Sequence, residues 1–166
     1  MTPIPTGTPP HPPAARHGGT LRLPAELLAA VHAHARAAYP EECCGALLGP
    51  PPRDADAPRA VARVVPVPNA AADGRGGRFL IPAAAVRALE GEAARGGLAV
   101  LGFYHSHPDG RPHPSRTDRE AAWPWYSYLI VAVAADGAVQ ARAWRLADDR
   151  TAFLPQDLRP GEEERG

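Results

Sequence analysis

Residues 103–120 read FYHSHPDGRPHPSRTDRE, and three histidines and two aspartates fall between positions 105 and 118 of a chain otherwise rich in Ala, Pro, Arg and Gly. The apolar run LAVLG (98–102) leads into them with strand character, so His105 and His107 stand at a strand end. Residues two apart on a strand point to the same side, which sets the two imidazoles next to each other. Ser115 and Asp118 then form Ser-x-x-Asp, the signal of a helix start, with Ser as cap and the acid favoured by the helix dipole. A carboxylate in that first turn completes a His, His, Asp set and leaves a fourth tetrahedral position open, as catalytic rather than structural zinc sites do. His113, between two prolines in a turn, is expected at the surface. His32 and His34 lie two apart on a helix, about 200° around its axis, so they cannot share an ion and are read as solvated.

Working outward, residues 23–40 (LPAELLAAVHAHARAAYP) carry Leu27, Leu28, Val31 and Ala35 at helical spacing between Pro24 and Pro40. CCGALLG (43–49) is a short buried strand, and residues 50–58 form a loop. RAVARVVPVPN (59–69) is a second strand, pushed toward an edge by Pro66 and Pro68. A Gly-rich loop over 70–79 leads to a helix from Pro82 to the Gly96-Gly97 pair. After a short helix over 115–122, YSYLIVAV (126–133) and VQARAWRL (139–146) are strands joined through Asp136-Gly137. The pattern predicts a single-domain α/β sandwich with a mixed central sheet flanked by helices. Residues 1–19 are expected to be a disordered Pro/Gly-rich tail, 20–150 the folded domain and 151–166 a mobile C-terminal tail.

The chain has 166 residues and zero formal net charge, which suits one domain and gives no electrostatic case for nucleic acid or a membrane surface as partner. All 18 basic residues are arginine, so no lysine amine is available for Schiff-base chemistry. Cys43 and Cys44 are adjacent and point to opposite faces of a strand, which makes them buried thiols rather than a chelating pair or a disulfide. The N-terminus has no apolar signal region and no apolar run is long enough to span a bilayer, so a cytoplasmic setting is expected. A homodimer is the default for a domain this small, with no sequence feature behind it.

As a whole the sequence resembles a known family. HSHPDGRPHPSRTD matches the His-x-His-Pro, Ser-x-x-Asp signature of the JAMM (MPN+) metalloproteases, and YPEECCGALLG resembles that family's Pro-x-Glu-x-Cys-Gly segment. The resemblance covers residues 20–147 and implies a JAMM/cytidine-deaminase-like fold. It further implies that His105, His107 and Asp118 hold Zn2+, that Glu42 rather than Glu41 is the general base, and that Ser115 hydrogen-bonds the oxygen of the scissile carbonyl. Zinc chemistry still needs a proton shuttle to the leaving amine, and a carboxylate that is not a ligand can provide it.

The same resemblance implies hydrolysis of the amide bond after the Gly-Gly tail of a ubiquitin-like protein. The insertion by which eukaryotic deubiquitinases grip a second ubiquitin is missing, since only REAAWPWY (119–126) separates Asp118 from the next strand. The chain is therefore similar to compact bacterial members that act on ubiquitin-like sulfur carrier proteins, either trimming the carrier or releasing a C-terminal cysteine. Residues 69–81 stand where the family supports the tail, and deleting 73–77 is expected to raise KM with zinc intact. Three other readings stand beside this one: a non-catalytic zinc-stabilised binding module for a ubiquitin-like partner, a RadC-like DNA-repair-associated protein, and a cell-wall-peptide hydrolase partner, which would need a second domain.

Overall fold

The computed structural model describes residues 17–161. Most of the expected N-terminal tail, residues 1–16, and the end of the C-terminal one, residues 162–166, lie outside the described residues. The elements are β1 (Thr20–Arg22), α1 (Ala25–Ala38), β2 (Cys44–Gly49), β3 (Arg59–Ala60), β4 (Arg63–Val67), α2 (Ala83–Arg95), β5 (Ala99–Pro108), α3 (Arg116–Ala121), β6 (Ser127–Val133), β7 (Val139–Leu146) and β8 (Phe153–Arg159).

The strands form one sheet in the order β3-β1-β8-β7-β6-β5-β2-β4. β5 and β6 run parallel and β1 is parallel to both neighbours, while the other pairs are antiparallel, so the sheet is mixed as expected. Its edge strands β3 and β4 are separated only by Val61 and Ala62, whose N–H groups bond to the Arg22 and Leu48 carbonyls (both 2.8 Å). A sheet whose two edges are covalent neighbours has to curl. On one face, Val31 and Ala35 of α1 pack with Leu21, Leu47, Leu101, Tyr104, Leu129 and Val131. On the other, Leu89 and Ala93 of α2 pack with Cys44, Ala46, Leu48, Val100 and Phe103.

β2 alternates cleanly: Cys43 and Leu47 face α1, Cys44, Ala46 and Leu48 face α2, and both cysteines are free and buried. β5 does not alternate throughout. Val100 faces α2 and Leu101 faces α1, yet Phe103 faces α2 again and Tyr104 faces α1. The cause is a bulge: Leu48 pairs with Val100 and Leu47 with Gly102, so β5 carries an extra residue there. Were Leu101 paired regularly rather than bulged, alternation from Val100 would turn His105 and His107 into the α1 core. Gly102 is required at the bulge because a Cβ would overlap the Ser127 carbonyl of β6.

Two expectations need correction. Phe153–Arg159 is not a mobile tail but β8, whose first half pairs with β7 and whose second half pairs with β1. FLPQDLR hides this because Pro155 reads as a strand breaker; it sits in the half bonded to β7, and its carbonyl accepts the Gly18 N–H (2.9 Å). That bond also fixes the chain before Thr20, and three-residue β1 is too short to announce itself by periodicity. The other correction concerns His34, which is not simply solvated: its Nδ1 meets the Oη of buried Tyr104 at 2.8 Å and ties α1 to β5.

Candidate metal centre

β5 and α3 bring the predicted ligands together. The Nε2 atoms of His105 and His107 lie 3.0 Å apart, and they approach Asp118 Oδ1 and Oδ2 at 3.2 and 3.1 Å respectively. The three residues are also the set of ligand-type side chains, among the described residues, whose donor atoms all fall within 4.8 Å of one another. His113 is exposed beside Trp144 and takes no part.

Local rules explain each placement. Beyond the bulge the odd-numbered residues of β5 face away from α1, so Ser106 between the predicted ligands points the other way, fully buried, and accepts the Cys43 N–H at 2.8 Å. α3 begins with a capping box: Ser115 Oγ accepts the Asp118 N–H (3.0 Å) and Asp118 Oδ2 accepts the Ser115 N–H (2.8 Å). The bonds that start the helix thus also aim the carboxylate. His107 Nδ1 lies 2.8 Å from the Arg111 carbonyl, which fixes the hydrogen on Nδ1 and leaves the Nε2 lone pair for the cluster. His105 lies flat against Phe79, with ring centroids 4.4 Å apart.

In the metal-free protein Asp118 is held ionised and His105 neutral, as a cation site needs, whereas His107 holds its proton more tightly. Burial works against ionising Asp118, but hydrogen bonds from His105 and His107 outweigh it and hold the carboxyl well below the usual range. Burial lowers the pKa of His105 and keeps it neutral. Burial also opposes a charge on His107, but the hydrogen bond to Asp118 prevails and its pKa is raised. Two imidazole nitrogens and one ionised carboxylate make a zinc-type donor set.

Glu42 is 7 % exposed and shares a cavity of about 220 Å³ with His105, Ser115 and Asp118, whereas Glu41 faces solvent. Burial pushes its carboxyl up to about 7, opposed by nearby His107 and helped by the charge of Asp118. Phe79, Ile81, Val86, Phe103 and Tyr128 give the cavity an apolar floor, and the exposed Leu80 and Trp123 stand at its rim. Ser115 Oγ accepts one bond and keeps its own proton to give into this space. A larger hollow of about 600 Å³ beyond Trp123, lined by Trp125, Tyr126 and Arg145, holds no cluster of ligand-type residues.

Sequence reasoning missed Phe79, which covers His105, and Asn69, whose Nδ2 donates to the Glu42 carbonyl (3.1 Å). Nor did it find that segment 73–77 touches Glu42, whose N–H donates to the Arg75 carbonyl at 2.6 Å.

The family model described as prokaryotic homologs of the JAB domain matches residues 24–147. The chain belongs to this family. A desampylase from Haloferax volcanii is 43 % identical over 129 residues, covering 75 % of this chain and 87 % of the relative. A CysO-cysteine peptidase from Mycobacterium tuberculosis is 31 % identical over 146 residues, covering 83 % and 90 %. At 18 % identity, a crystal structure of a JAB1/MPN domain protein from Archaeoglobus fulgidus agrees in fold, with a TM-score of 0.52 over 86 % of this JAB-family chain and 99 % of that one. Among the described residues no helix is long and apolar enough to cross a membrane.

Proposed function

We propose that this chain is a zinc-dependent peptidase that hydrolyses the amide bond after the C-terminal Gly-Gly of a ubiquitin-like sulfur carrier protein, in the cytoplasm. The observation that carries the reading is one cavity lined by His105 and Asp118 of a clustered His, His, Asp donor set and by Glu42, a buried carboxylate that is not part of the set. The names of the relatives, a desampylase and a CysO-cysteine peptidase, supply the substrate class. A binding module that holds zinc for stability has no need of Glu42, since an ionisable group buried without a paired cation weakens a fold. A RadC-like role has no support in the relatives' names.

His105, His107 and Asp118 would hold the zinc, which when bound supplies Lewis acidity toward the scissile carbonyl and lowers the pKa of water. Glu42 takes a proton from the attacking water and returns it to the leaving nitrogen. A base with a pKa near the working pH suits both transfers. The Ser115 hydroxyl donates to the carbonyl oxygen as negative charge builds on it. The apolar floor keeps bulk water away from these groups, and residues 69–81 give an extended tail a surface to lie against.

The test is intact-mass analysis of a sulfur carrier bearing a short extension after Gly-Gly, incubated with zinc-loaded protein. Loss of the extension immediately after Gly-Gly is the expected result. An intact carrier beside stoichiometric zinc would contradict the reading.

A further inference from the structure

Asn69 stands where the chain leaves edge strand β4, and every hydrogen-bonding position of its amide is used. Nδ2 donates to the Glu42 and Arg78 carbonyls (3.1 and 3.0 Å), and Oδ1 accepts from the Ala71 and Leu80 N–H groups (3.0 and 3.1 Å). Two carbonyls on one side and two donors on the other fix the amide's orientation. The Ala70 N–H bonds to the Leu80 carbonyl (3.0 Å), so the excursion over 71–79 starts and finishes beside Asn69.

Glu42 lies just before β2 and takes no bond from the sheet. Its carbonyl is held by Asn69 and its N–H by the Arg75 carbonyl, so both come from this one segment. Arg75 is braced in turn by its Nε on the Ala71 carbonyl (2.8 Å). An asparagine that merely closes a turn accounts for the bonds to Ala71 and Leu80. It does not account for a donor spent on Glu42, 27 residues away in sequence.

We infer that Asn69 is a positioning residue that ties Glu42 to segment 70–80, so that the surface offered to a Gly-Gly tail and the alignment of the base depend on one scaffold. The inference rests on the reading of Glu42 as base. Because the same segment carries Phe79 over His105, a tail that braces it also steadies the reacting groups. A substrate lacking the tail then loses kcat and not only binding.

Two substitutions separate the halves of the clamp. Asn69→Asp keeps an acceptor for Ala71 and Leu80 but turns an oxygen toward the Glu42 and Arg78 carbonyls. It is expected to bind zinc as wild type does and to lower kcat about tenfold to a hundredfold on the extended carrier, with little change in KM. Placed on Glu42→Gln it should cost nothing more, as for two residues acting through one group. Asn69→Ala should lower kcat, raise KM, and speed hydrogen exchange at the Glu42 amide together with those of Ala71 and Leu80. Wild-type kcat in Asn69→Asp, or exchange that quickens in the loop but not at Glu42, would overturn the inference and leave a turn-closing asparagine. Equal cleavage by wild type and Glu42→Gln would instead sink the base assignment, and the exchange data would still decide whether the clamp exists.

Discussion

The proposed ligand cluster and the proposed base, Glu42, meet at one cavity but are built in opposite ways. His105, His107 and Asp118 are placed within secondary-structure elements: alternation beyond the β5 bulge sets the imidazoles side by side and a capping box aims the carboxylate. Glu42 is placed by irregular chain, held through Asn69 and Arg75 rather than by a ladder. On the proposed roles, a change in β5 or α3 is expected to disturb the metal centre, while Glu42 can be displaced with the ligand cluster intact.

The largest effect expected from this contrast is on the ligand side. Asp118→Asn or His107→Ala should abolish stoichiometric metal binding, as read by elemental analysis of the purified protein, and take activity below detection. Glu42→Gln should leave the metal in place and lower kcat about 10²–10⁴-fold, the range for losing a general base. Ser115→Ala touches both regions. It removes a donor to the carbonyl oxygen, about 10²-fold in kcat, and a helix cap worth about 1 kcal/mol in thermal or urea unfolding.

The pH dependence sharpens the comparison. In metal-free protein the Glu42 carboxyl is raised by burial from 4.5 to about 7. The stability contributed by its neutral form is fully present below about 4.5 and is lost as pH rises through about 7. Metal-free Glu42→Gln should therefore unfold at a higher temperature than wild type at pH 8, and the gap should close toward pH 5. In the loaded enzyme the cation favours the carboxylate, so kcat should fall only on acidification below 7, a limb absent from Glu42→Gln. The smallest change is Gly102→Ala at the bulge. Its Cβ forces β5 from β6 at a cost of about 1–3 kcal/mol, seen as a lower melting temperature together with weaker metal binding.

The same contrast explains what could be read from sequence. Helices α1, α2 and α3 and strands β2, β5, β6 and β7 carry clear periodicity or caps, and the ligand cluster follows from two-residue and three-residue spacings. The bulge at Leu101 leaves no mark in the sequence, because an extra residue in an apolar strand looks like any other. β8 was concealed by Pro155 and β1 by its brevity. Asn69 and Phe79 act through contacts 27 and 26 residues distant, on Glu42 and His105, and no local pattern reports such pairs.

The most direct measurement of the central claim is zinc content and carrier cleavage determined on the same samples of wild type and Glu42→Gln. One zinc per chain in both, with cleavage after Gly-Gly by wild type alone, is the predicted result. Zinc lost from Glu42→Gln, or cleavage preserved in it, would contradict the separation of ligand set and base.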